Sequence, residues 1–81
     1  KGNLSYNNPV HDQLKLRLTY TSGSSMKVRL LDLTGKTVFT DNWMKGAVEK
    51  TINMETLPNG VYLVNVSIPN GETITKKIIK N

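Results

Sequence analysis

The stretch Leu57-Pro58-Asn59-Gly60-Val61-Tyr62-Leu63-Val64-Asn65-Val66 joins a tight corner to the most regular strand in the chain. Pro58 fixes its own φ, Asn59-Gly60 tolerates positive φ, and an alternating run follows at once. A period of two puts Tyr62, Val64, Val66 and Ile68 on one face and Val61, Leu63, Asn65 and Ser67 on the other. A strongly apolar face therefore begins directly after the turn. A tyrosine at the start of such a strand has a structural use: its ring enters the core while its hydroxyl bonds to backbone just upstream, pinning the crossover between two sheets. Leu57 and Tyr62 are thus read as a structural corner, with no catalytic role.

Working outward, Gln13 to Thr21 alternates with Leu14, Leu16, Leu18 and Tyr20 on one side and Lys15, Arg17 and Thr19 on the other, a half-buried strand. Before it, Lys1 to Tyr6, with Leu4 and Tyr6 two apart, reads as a brief edge strand, and Asn7-Asn8-Pro9-Val10 as a turn that Pro9 stiffens. Ser22 to Ser25 permits a reversal. Met26, Val28 and Leu30 resume the inward set, and the slip of alternation at Leu30-Leu31 predicts a bulge or burial on both faces. Asp32-Leu33-Thr34-Gly35-Lys36 reads as a turn in which Gly35 takes the left-handed position and Asp32 caps backbone amides.

Thr37 to Thr40 is a short strand ended by Asp41-Asn42. Trp43 is read as a cap on one end of the core, with an exposed ligand platform as its alternative. Ala47 to Asn53 is a strand near an edge, with Val48, Lys50 and Ile52 on one side. Met54-Glu55-Thr56 allows a single turn. Pro69-Asn70-Gly71 makes a hairpin turn into a last strand from about Glu72 to Lys80, where Ile74 and Ile78 share one face and Ile79 takes the other. About seven short strands, with turn signals every eight to twelve residues or so, predict an all-β, immunoglobulin-like antiparallel β-sandwich.

The 81 residues are read as one domain, residues 1–3 being a linker remnant. A chain this short buries only about 60 per cent of its unfolded surface, and with no cysteine neither disulfides nor thiolate metal sites supplement the core. No apolar run approaches the roughly 20 residues of a bilayer-spanning helix, so no stable membrane insertion is expected. If the natural protein is exported, its address lies outside these residues or is these residues. The net charge of +5, from 11 Lys and Arg against 6 Asp and Glu, biases the surface towards polyanions, although a solvated, mildly basic surface is the commoner reading and is preferred over a dedicated binding patch.

Chemistry is largely excluded. Nucleophilic catalysis needs an activated Ser or Cys, and the one histidine, His11 beside Asp12, sits in a loop as a solvent-facing residue. Glu49, Glu55 and Glu72 fall on separate elements, giving no paired-carboxylate site. There is no calcium loop, histidine cluster or phosphate-cradling glycine loop, so no cofactor or metal is expected and the chain is read as no enzyme. Lys15, Arg17, Lys27 and Arg29 would make a basic face if their strands were neighbours, but no aromatics interleave with them as nucleic-acid binding requires.

Four pieces in order carry a resemblance: Tyr6-Asn7-Asn8-Pro9-Val10, Asp32-Leu33-Thr34-Gly35-Lys36-Thr37-Val38, Leu57-Pro58-Asn59-Gly60-Val61-Tyr62-Leu63-Val64 and Thr75-Lys76-Lys77-Ile78-Ile79-Lys80. Together, from Leu4 to Lys80, the chain resembles the type A C-terminal sorting domain of cargo proteins of the type IX secretion system of Bacteroidetes. The family commonly has Tyr-Pro-Asn-Pro, so Asn7 in place of the first proline is expected to loosen the entry turn. The resemblance implies a disposable address: cargo reaches the periplasm by a separate signal, crosses the outer membrane through machinery that reads this domain, and is cut free by a surface sortase that joins it to anionic lipopolysaccharide. It also implies that Pro9, Gly35, Gly60, Lys76, Lys77, Ile78, Ile79 and Lys80 are recognised by that machinery, and that the domain is ligand and substrate with upstream cargo domains as neighbours. A final strand at a sheet edge would suit recognition by strand addition. Exposed edges leave strand exchange into a homodimer open. The alternative from another class is a carbohydrate-binding or adhesive module that uses Trp43 and exposed tyrosines.

Overall fold

Alternation decides the architecture strand by strand. The computed structural model describes residues 4–19, 23–69 and 71–81. Among these are strands β1 (Leu4–Tyr6), β2 (Gln13–Leu18), β3 (Met26–Asp32), β4 (Thr37–Trp43), β5 (Glu49–Asn53), β6 (Gly60–Ser67) and β7 (Thr73–Lys80). They form an antiparallel three-stranded sheet in the order β1-β2-β5 and an antiparallel four-stranded sheet in the order β4-β3-β6-β7.

The inward sets meet between the sheets. Leu14, Leu16 and Leu18 of β2 and Ile52 of β5 pack with Met26, Val28 and Leu30 of β3, Tyr62, Val64 and Val66 of β6 and Ile78 of β7, all buried in one cluster. Each such side chain contributes about 1.5–3 kcal/mol when fully buried. Val10, Met54 and Trp43 close the ends of this core. Tyr20, assigned inward from its alternation, Asn70, assigned to the last turn, and residues 1–3 lie outside the described residues.

Two sequence expectations are corrected. β4 does not end at Thr40 but runs on through Asp41-Asn42 to Trp43, because those residues pair with Val28, Lys27 and Met26 of β3. Cross-strand pairing and the burial of the indole outweigh the weak strand propensity of Asp and Asn. β5 starts at Glu49, two residues later than expected. The slip at Leu30-Leu31 is a register shift in the β3–β4 ladder. Trp43 is 0% exposed and its Nε1–H donates to the Ala47 carbonyl at 2.8 Å, which makes it the cap of that end of the core.

The long sides of the sandwich are tied by different means. On one side Lys50 of β5 reaches across to Asp41 of β4, 2.6 Å from ammonium to carboxylate. That pair explains how a lysine sits on the apolar side of β5. On the other side the segment after β1 crosses to β7, with Val10 bridging Lys80 in parallel.

Candidate functional site

The corner at Leu57–Tyr62 is built as its residues dictate. Gly60 adopts a φ of +151° as the first residue of β6, and the Tyr62 hydroxyl donates to the Pro58 carbonyl at 2.5 Å while its ring is buried. Gly60 pairs with Lys80 and Tyr62 with Ile78, so the corner lies beside the end of β7. Tyr62 also pairs with Asp32, the last residue of β3, which brings the β3–β4 turn to the same end. In that turn Gly35 has a φ of +89°, the left-handed conformation that favours glycine. The Asp32 carboxylate accepts from the Thr34 hydroxyl at 2.6 Å and from the amides of Thr34 and Lys36 at 2.9 and 3.0 Å. Those bonds, the Thr34 hydroxyl foremost, hold its carboxyl below the ordinary 3.8. Asp41 is likewise lowered, by the Lys50 ammonium and then by the Asn42 amide.

The Pro9 turn joins the same end through bonds that no sequence pattern announces. Asn8 Oδ1 accepts from the Ile79 amide at 2.9 Å. The Val10 amide donates to the Ile79 carbonyl at 2.7 Å, and the Asn81 amide donates to Val10 at 2.9 Å. His11 Nδ1 lies 3.0 Å from the Asn81 backbone oxygen. Lys80, 8% exposed, directs its ammonium to Asn59 Oδ1 at 3.3 Å, tying β7 to the corner. Pro9, Gly35, Gly60, Ile78, Ile79 and Lys80 therefore gather at one end of the sandwich, Ile78 in the core and the others around it. Lys76 and Lys77 lie further back along β7, opposite Val64 and Leu63. Leu33, 67% exposed in the β3–β4 turn, belongs to this end as well.

This strap of residues 8–10 changes the expectation of an open final strand. Both the N–H and the C=O of Ile79 point away from β6 and are already taken. By the alternation of an antiparallel ladder, the outward backbone groups of Thr73, Thr75 and Lys77 form the part of the β7 edge that no described strand covers. Asn7 does not loosen the entry turn: its Nδ2–H donates to the Gln13 carbonyl at 2.9 Å and its Oδ1 accepts from the Lys15 amide at 2.8 Å. A proline could do neither. The sequence places Asn7 and Asn8 in a turn, His11 in a loop and Asn59 at the corner without naming their partners, and the available signal is polar side chains flanking two prolines, residues that readily cap backbone groups.

Other candidates disperse. β2 and β3 lie in different sheets, so Lys15 and Arg17 face away from Lys27 and Arg29, and the combined basic face does not form. Arg17 is paired with Glu49 beside a shallow depression of about 410 Å³ lined by Lys15, Leu16, Arg17, Glu49 and Thr51. Buried Trp43 offers no sugar platform, Tyr62 is buried and Tyr6 half-buried. No cluster of His, Asp and Glu suited to a metal occurs among the described residues. No helix among them is long and apolar enough to cross a membrane.

The arrangement is a small β-sandwich whose separate turn motifs converge on its last strand. The model of the secretion system C-terminal sorting domain matches residues 5–81, and the chain belongs to this family, the sorting domains of type IX secretion. The fold is similar to that of a DUF3244 family protein with an immunoglobulin-like β-sandwich from Bacteroides vulgatus ATCC 8482, at a TM-score of 0.76 and 17% identity over 99% of this chain and 96% of that one. It is also similar to CopC from Methylosinus trichosporium OB3b, at a TM-score of 0.62 and 22% identity over 99% and 91%. Both likenesses speak to the fold alone. No curated protein is matched. The fold is thus an immunoglobulin-like sandwich, and the family makes the chain a secretion sorting signal that directs export to the cell surface or extracellular space.

Proposed function

We propose that residues 1–81 act as one folded address, presented to the type IX machinery at the end of the sandwich where Pro9, Gly35, Gly60, Ile79 and Lys80 meet, with Lys76 and Lys77 extending the contact along β7. The gathering of four motifs from distant parts of the chain at one end is the observation that carries this reading. The open stretch of the β7 edge, Thr73 to Lys77, suits strand addition by a receptor, with the lysines fixing register and charge. Cargo passes through the periplasm, a surface sortase cuts ahead of the domain, and the cargo is joined to anionic lipopolysaccharide. In this scheme the domain is substrate and ligand and performs no chemistry, in keeping with a chain that has no cysteine and one histidine.

The test is a reporter fused ahead of residues 1–81, supplied with a periplasmic export signal, in a Bacteroidetes host with and without a working type IX system. Delivery to the surface or medium only in the working host is expected. Retention in the periplasm in both hosts would overturn the reading. The cut is located separately by mass spectrometry of the delivered reporter, which is expected to lack the domain and to carry polysaccharide.

A further inference from the structure

An outward sheet face in a sandwich is ordinarily polar, since only the inner face is packed. The outer face of the four-stranded sheet departs from this. Val61 pairs with Ile79, and Leu31 with Leu63 in the next row, so four aliphatic side chains from three strands sit side by side. Ile79 is 41% exposed. Leu31, Val61 and Leu63 are half-buried, yet they belong neither to the core nor to the side chains packed against it. Lys77, opposite Leu63, completes the second row, and Arg29 and Lys27 follow on β3. The outward positions of β3, β6 and β7 hold no carboxylate. Among the described residues none of these three cations forms an ion pair.

We propose that this face, centred on Leu31, Val61, Leu63 and Ile79, docks an apolar protein surface rimmed with carboxylates on the export machinery, an inference that rests on the sorting function proposed above. An apolar centre with a charged rim is the anatomy of a specific interface, and three cations without acid partners beside it, Arg29 bonded to the Asn65 side-chain oxygen at 3.5 Å, call for anionic groups on the partner. A second copy of this chain is disfavoured because it would set Lys27, Arg29 and Lys77 against themselves. A lipid surface is disfavoured because the quartet includes no aromatic to enter the headgroup layer. Strands about 4.8 Å apart and rising about 3.3 Å per residue give a face of roughly 14 by 20 Å. That is the scale of a transient contact, as suits a passing cargo. The face adjoins the motif end through Ile79 and Val61, so the partner would meet both together.

The same reporter fusion tests it, with Leu31→Asn/Leu63→Asn, with Lys27→Glu/Arg29→Glu/Lys77→Glu, and with Lys15→Glu/Thr51→Glu on the opposite sheet as control. Expected is a loss of delivery of about tenfold or more for the first two, equivalent to ~1.4 kcal/mol or more of binding, and no loss for the control. The purified domains should all remain folded, the aliphatic variant at a lowered unfolding midpoint because Leu31 and Leu63 are half-buried. If the aliphatic variant does not fold, the charge reversal decides, since Lys27 and Lys77 are exposed and Arg29 half-buried. Wild-type delivery with undiminished delivery of both face variants overturns the docking proposal and leaves the sorting function standing. Failure of the wild type itself overturns both. Flotation of the wild-type domain with vesicles of anionic and neutral phospholipid, or a dimer in sedimentation, that is lost in Leu31→Asn/Leu63→Asn would assign the face to lipid or to a second copy and overturn the proposal.

Discussion

The two outer faces of the sandwich are built to the same period and treat solvent in opposite ways. On the three-stranded sheet Ser5, Gln13, Lys15, Arg17, Glu49, Thr51 and Asn53 all point out and all are exposed. Arg17, one of its two cations, is matched by Glu49, and no apolar side chain interrupts it. On the four-stranded sheet the corresponding positions hold Leu31, Val61, Leu63 and Ile79 beside three cations without acid partners. One face is finished as a surface and the other is left as half of an interface. The difference teaches that outward alternation alone does not make a face inert; its composition decides what it is for.

The largest expected contrast lies across a single strand. Ile78 and Ile79 are neighbours on β7, one fully buried and one partly exposed. Ile78→Ala is expected to cost about 2–5 kcal/mol in denaturant unfolding, whereas Ile79→Asn, which gives up strand propensity and partial burial only, should cost about 1 kcal/mol. Equal costs would mean that the outer face is packed and not open. Next in size, Tyr62→Phe removes the bond to Pro58 and is expected to lower stability by about 1 kcal/mol without altering the fold.

Acid separates the two ends of β3. The Asp32 carboxyl is lowered in the folded state, so the native protein binds fewer protons than the unfolded chain, and its contribution is present above the ordinary 3.8 and lost as pH falls through the lower native value. By linkage, the stability gap between wild type and Asp32→Asn should be full at neutral pH and should close in acid. A gap independent of pH would remove the capping role. The smallest effect belongs to the polar face: Glu49→Gln breaks a pair whose side chains are 61% and 65% exposed and should change stability by at most about 0.5 kcal/mol, vanishing in high salt.

Much of this was legible in the residues. Alternation in Gln13–Leu18 and Gly60–Ser67 assigned the inner faces correctly, the slip at Leu30-Leu31 marked a true irregularity, and Asp32 caps the turn that its position suggested. Strand ends were less legible, because β4 is prolonged by pairing that lies outside its own sequence. The end of β7 was misread as open for the same reason: Asn8 and Val10 reach Ile79 across almost the whole chain. The outer patch was visible as Val61 and Leu63 on the second face of their strand, but its extent was not, since nothing local says that Leu31 and Ile79 stand beside them.

Local sequence dictates where strands begin to alternate, which side chains face the core, and where glycine, proline and asparagine turn the chain. These are local properties, fixed by sterics and a period of two. Assembly of the whole sandwich is what parts β2 and β3, consecutive in the chain, into different sheets, brings four motifs to one end, and makes one outer face apolar and basic while the other is polar throughout. A period of two names the face of a residue but not its neighbour on the next strand, and neighbours are chosen by burial summed over the whole core.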